Sequence, residues 1–212
     1  MRKTMISTAA LFALFSIVAC SSNPAAPAGE QSAAPKKTEA PQYETGRNAF
    51  QKLFVAARAF APDAKPYKLV SAYTPGAPVS EGKAGIWRAE FASPSKRAIK
   101  AYTWSGVAEE GSPDRGVTHG TEDSYNPSNS STQIFEIAFL KIDSDKAFEV
   151  AQKHGGEKLM KSDPKQPVIY LLDFNTRANE LIWHVIYGEN RNDAKLKVAV
   201  NATTGGFMRI EH

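Results

Sequence analysis

The chain has one cysteine in 212 residues, so no internal disulfide can form and no zinc site can be built from thiolates; the fold stands on packing alone. None of its four histidines, His119, His154, His184 and His212, stands in a His-x-x-x-His or His-Glu-x-x-His spacing, so a catalytic zinc centre lacks its usual helix-borne pair. There is no Gly-x-Ser-x-Gly elbow: Trp104, Ser105 and Gly106 only end a strand-like run. The 14 glycines form no Gly-x-Gly-x-x-Gly loop, and Gly205 and Gly206 precede a strand-like run rather than a helix. No cofactor is implied. Like-signed charge does not cluster either: 26 basic and 22 acidic residues are dispersed, which leaves nucleic acid no stripe of charge to bind.

What is present begins at the N-terminus. Arg2 and Lys3 precede an apolar run, residues 5–19, interrupted only by Ser and Thr. The run is too short for an ordinary membrane span and has the layout of a secretory signal peptide, residues 1–19. Removing it takes two of the 26 basic residues and leaves 24 against 22 acidic ones. The run ends Ile17, Val18, Ala19, Cys20, which resembles a bacterial lipobox, where a small residue precedes a cysteine that is thioether-lipidated before cleavage. A thiolate is a strong nucleophile toward a lipid donor, and the new amino terminus can be acylated as well, with palmitate for example. At about 0.8 kcal/mol per buried CH₂, several acyl chains give a lasting anchor. By the same resemblance, Ser21 in place of aspartate favours the outer membrane in a source with two membranes. Residues 21–42 then hold four prolines and six alanines with no aromatic, Leu, Ile, Val or Met, so they cannot offset the entropy of ordering. We read residues 20–42 as lipidated cysteine plus tether, spanning roughly 26 Å as a flexible coil.

From residue 43 the composition becomes that of a folded protein, and one order of elements occurs twice. In residues 46–62, Phe50, Leu53, Phe54, Ala57 and Phe60 recur at spacings of three and four, which predicts an amphipathic helix ended by Pro62 and Pro66. Strand-like runs follow at 67–73, 85–92 and 96–104. The second pass has a helix near residues 143–156, capped by Asp143 or Ser144 and stopped by Gly155 and Gly156, with His154 in its last turn complementing the dipole. Runs at 167–174, 180–188 and 194–202 and a final one near 205–211 complete it. Ala49 and Phe50 lie 98 residues before Ala147 and Phe148, and Ile86 and Trp87 lie 96 before Ile182 and Trp183. The expected fold class is therefore α+β, as two tandem α-β-β-β(-β) units over 43–141 and 142–212, each an antiparallel sheet on one helix.

Alternation assigns faces within these strands. Trp87, Ala89 and Phe91 point inward and Arg88 and Glu90 outward, whereas the matching second strand turns Ile182, His184 and Ile186 outward. An apolar outer face calls for cover, either from the first unit or from a ligand. Arg88, Glu90, Ile182, His184 and Ile186 are accordingly the candidate ligand-binding residues.

The 28-residue polar stretch 105–132 carries Glu109, Glu110, Asp114, Glu122 and Asp123 against one arginine. It reads as a mobile solvated insertion with a short edge strand near residues 116–120, and residues 133–140, with Phe135, Ile137 and Phe139 alternating, read as the first unit's final strand. His119, Glu122 and Asp123 are weak metal candidates, since they lack the ligand order of a calcium loop; no metal is expected.

The end of the chain, with Trp183, the following strand and the turn Asn201, Ala202, Thr203, Thr204, Gly205, Gly206, resembles the PepSY domain of bacterial envelope proteins and of thermolysin-like protease propeptides. Asparagine stands where that family usually has aspartate, with one extra residue before the glycines. The resemblance covers residues 143–211 and implies a small noncatalytic module of PepSY or cystatin-like fold that binds or inhibits a protease, or bridges envelope proteins. It supplies no catalytic residue. The sequence thus predicts a lipid-anchored, periplasm-facing envelope protein, not an enzyme, acting through a protein or protease partner. The alternatives are an envelope hydrolase using His184 with carboxylates from the long loop, and a structural accessory subunit.

Overall fold

The apolar stripe of residues 46–60 closes on a sheet shared by both halves of the chain. The computed structural model describes residues 40–75, 77 and 81–211, so the signal peptide, Cys20 and the tether up to residue 39 lie outside the described residues. In chain order the elements are β1 (Glu44–Thr45), α1 (Gly46–Phe60), β2 (Lys65–Ser71), β3 (Lys83–Ala84), β4 (Ile86–Ser93), β5 (Ala98–Ser105) and β6 (Gly116–Ser124). A 3₁₀ turn (Ile137–Phe139), α2 (Ser144–Ala151), α3 (Glu157–Ser162), β7 (Val168–Asn175), β8 (Glu180–Tyr187), β9 (Leu196–Asn201) and β10 (Phe207–Glu211) follow.

The sequence predicts two sheets; the structure has one of eight strands, ordered β10-β9-β8-β7-β2-β4-β5-β6, beside a two-stranded pair β1-β3. Every pairing is antiparallel. The halves join through β2 and β7, where Leu69 lies opposite Leu172. Each half is a helix followed by strands of the large sheet, and α1 and α2 both pack on one face of it: Phe50, Leu53, Ala57, Phe148 and Ala151 share a core with Trp87, Tyr170 and Trp183. Phe54 of the predicted stripe is only partly buried. Each fully buried Leu or Phe contributes about 1.5–3 kcal/mol, far more than helix propensity in a helix of this length.

The two halves meet with matched contacts. Trp87 and Trp183 are both fully buried, ring centroids 6.3 Å apart and edge to face. Trp87 Nε1–H donates to the Glu44 carbonyl and Trp183 Nε1–H to the Ile142 carbonyl, each at 2.9 Å. Asp143 caps α2, accepting from Ser144 N–H at 2.7 Å, and its Oδ1 also accepts from Arg47 N–H at 2.8 Å in the first turn of α1. Ser144 Oγ accepts from Gly46 N–H at 2.7 Å. Thus the start of α2 satisfies two orphan donors of α1, whose own Thr45 makes no side-chain cap.

Several local expectations change. Residues 133–140 form no strand: the free edge of β5 is taken by β6, nine residues long and reaching residue 124. The chain instead crosses back, Phe135 N–H donating to the Pro66 carbonyl at 2.9 Å, and tucks a buried Phe135 under the sheet end. The edge strand expected near residues 116–120 of the 105–132 stretch is present and runs on to residue 124. Gly155 takes the left-handed turn expected of a stop, φ 112°, but the helix resumes as α3. His154 sits at the kink in non-helical geometry, and its ring stacks on Phe207 at 3.7 Å. The tether reading extends to residue 42, but Gln42 N–H already donates to the Gly106 carbonyl at 2.9 Å.

The β9–β10 turn behaves as its residues dictate. Asn201 Oδ1 accepts from Thr203 and Thr204 N–H at 2.9 and 3.0 Å, and Gly205 has φ 76°, so the asparagine bonds its own chain while glycine supplies the left-handed step.

Candidate functional site

On the sheet face opposite the helices, antiparallel register sets His184 of β8 beside Leu171 of β7 and Ala199 of β9. Two carboxylates converge on its ring. His184 Nδ1 lies 2.7 Å from Glu211 Oε2 and Nε2 lies 3.1 Å from Asp173 Oδ1, with the histidine side chain only 4% exposed. Glu211 in turn pairs with Arg209 at 2.7 Å and Arg191 at 3.5 Å. Strands β7, β8 and β10 and the β8–β9 connection thus supply one network, buried at His184 and Glu211 and open to water at Asp173, Arg191 and Arg209.

Burial works against charge on His184, but its hydrogen bonds to the Asp173 and Glu211 carboxylates and their negative charge outweigh it and raise the pKa above its ordinary 6.5. Burial likewise works against Glu211, yet the His184 bond, the His184 charge and the two guanidiniums hold its carboxyl at about 2. Opposed directions on the two partners describe one object, an imidazolium between carboxylates. In the doubly protonated form both ring nitrogens donate, no lone pair remains to accept a proton, and the ring ties β7 to β10 through β8.

The other predicted residues fall elsewhere. Ile182 and Ile186 flank His184 and are each 1% exposed, so they offer no open surface. Ile186 joins Ile169 and Leu171 in a small cluster against which Val70 and Ala194 pack. The first half meets this face edge-on through β2 and does not cover it as a second layer. Arg88 and Glu90 pair along β4 at 3.2 Å on the water-facing side. His119, Glu122 and Asp123 are all on β6 and do not converge. His119 packs edge-on against Tyr102, Glu122 pairs with Lys100 at 3.4 Å, and Asp123 accepts from Ser124 N–H at 2.6 Å. The acids that reach His184 come from β7 and β10, not from the 105–132 segment that the hydrolase alternative requires. Asp173 and Glu211 went unnoticed in the sequence; the available signal was an acid inside the apolar run 167–174.

A second feature is a cleft of about 310 Å³ between the end of α1 and the 135–138 crossover, lined by Phe54, Arg58, Pro66, Phe135 and Ile137. Its charges are engaged: Lys65 pairs with Glu136, Arg58 lies over the Phe54 ring, and the Ser93 hydroxyl and Ser95 N–H hold the Asp63 carboxyl at about 2.

No protein-family model matches the chain, and no curated protein matches it. A solved structure does: a candidate lipoprotein of Clostridium difficile 630, with a TM-score of 0.51 and 10% identity, covering 84% of this chain and 95% of that one. At that identity the likeness is one of fold. The chain is an α+β protein with a large antiparallel sheet, and no described helix is long and apolar enough to cross a membrane.

Proposed function

We propose that this is a lipid-anchored cell-envelope protein, held by acyl chains on Cys20 and acting through noncovalent binding. The observation that carries the reading is Ile17-Val18-Ala19-Cys20 at the end of a short apolar run, followed by a stretch without large apolar residues. The tandem PepSY-like reading draws support from the repeated element order and from the matched indole contacts 98 residues apart in acceptor and 96 in donor. Its fold is like that of a protein described as a candidate lipoprotein. The engagement of both His184 nitrogens by carboxylates favours binding over turnover. A protease or another envelope protein is the proposed partner, and in a source with two membranes Ser21 favours the outer one, with the protein facing the periplasm.

Cys20→Ser tests the anchor. The variant is expected to leave the membrane fraction for the soluble one with its fold unchanged by circular dichroism. Retention equal to the unmodified chain would contradict the reading.

A further inference from the structure

β10 is the last strand of the sheet and has little apolar burial to hold it. None of its five residues is buried; Phe207 is 40% and Ile210 45% exposed. Its ladder to β9 is interrupted by a register shift between Phe207 and Arg209. Besides that ladder, a histidine contacts the strand at each end. The His154 ring lies flat on Phe207 at 3.7 Å, and Glu211, its side chain 10% exposed, meets His184 at 2.7 Å.

We propose that β10 is a proton-latched edge strand, held on β9 while His184 carries a charge between Asp173 and Glu211 and released along that edge when the charge is lost. Asp173 from β7 and Glu211 from β10 face His184, and Arg209 of β10 and Arg191 of the β8–β9 connection pair with Glu211 in turn. Lys197 of β9 lies opposite Glu211 in the ladder, and Lys68 of β2 opposite Asp173. A neutral imidazole has one N–H. Once deprotonated, it must aim a lone pair at one of the two carboxylates, so a bond becomes a repulsion, and on the Glu211 side the pair is largely shielded from water.

The direction with pH follows. His184 is raised in the fold, so its contribution is complete below its ordinary 6.5 and fades as pH climbs through the higher folded value. Glu211 is lowered, and its contribution is lost only as pH falls toward about 2. The latch is therefore closed in mild acid and opens on the alkaline side. Opening uncovers the backbone edge of β9, which is a template for an added strand.

The test is amide hydrogen exchange on the full lipid-bearing chain in detergent, read as protection factors at about pH 6 and about pH 9. Protection in β10 is expected to fall by roughly tenfold for each pH unit spanned by the shift, while β8 stays protected. Glu211→Gln should leave β10 weakly protected at both values, and His154→Leu should keep the pH response. Unchanged β10 protection in the parent chain, an unaltered response in Glu211→Gln, or its loss in His154→Leu would each overturn the proposal.

Discussion

Trp183→Ala is expected to destabilise the protein by about 3–5 kcal/mol, a large share of the whole stability of a domain this size. The indole is fully buried, contacts Trp87 edge to face at 6.3 Å and donates to the Ile142 carbonyl at 2.9 Å. Its ring also closes on the start of α1, where a Cβ at Gly46 would stand 2.5 Å from Trp183 Cη2. Truncation therefore opens a cavity where the two halves meet and leaves a carbonyl without its donor, two costs that do not offset each other. Urea unfolding monitored by far-ultraviolet circular dichroism reads the loss directly. A midpoint within the equivalent of about 1 kcal/mol of the parent would mean that the halves are not held at this contact.

Gly82→Ala has a comparable expected effect by a different route. Gly82 has φ 74°, and a Cβ there would lie 2.1 Å from Asp145 Cα and 2.3 Å from Asp145 N. Backbone cannot swing aside as a flexible side chain can, and the left-handed geometry adds about 1–2 kcal/mol of its own. The residue also donates to the Tyr170 hydroxyl at 3.0 Å and accepts from Ser144 Oγ, so displacing it disturbs the residues that cap α1. A loss of about 2–5 kcal/mol is expected. A thermal melt unchanged from the parent would refute the close approach of this loop to the start of α2.

Those two positions also mark how far the sequence can be read. The helix α1 was legible because periodicity is local: Phe50, Leu53, Ala57 and Phe60 are buried as their spacing predicts. The inward set Trp87, Ala89 and Phe91 was legible for the same reason, as was the self-bonding turn at Asn201. The joining of β2 to β7 was not, because backbone pairing of two apolar strands leaves no side-chain signature. Alternation misled at residues 133–140, where Phe135 and Phe139 serve a crossover; the edge of β5 had gone to the polar β6, whose pattern carries no buried face. At the candidate site His184 stood out, but its partners did not. Asp173 and Glu211 are 11 and 27 residues away, and only the register of β7, β8, β9 and β10 brings them to one ring. The outward apolar strand face was read correctly as needing cover, yet the halves meet edge to edge, which changes Ile182 and Ile186 from candidate contacts into buried residues.

We propose that covalent chemistry is done to this protein at Cys20 and that the folded part then works by its surfaces. Intact-mass analysis of the protein extracted from membranes tests this most directly. The expected result is a mature chain beginning at Cys20, heavier than its amino acids by a thioether-linked diacylglycerol and an amino-terminal acyl group. A mature chain beginning at another residue, or Cys20 recovered as a free thiol, would contradict it.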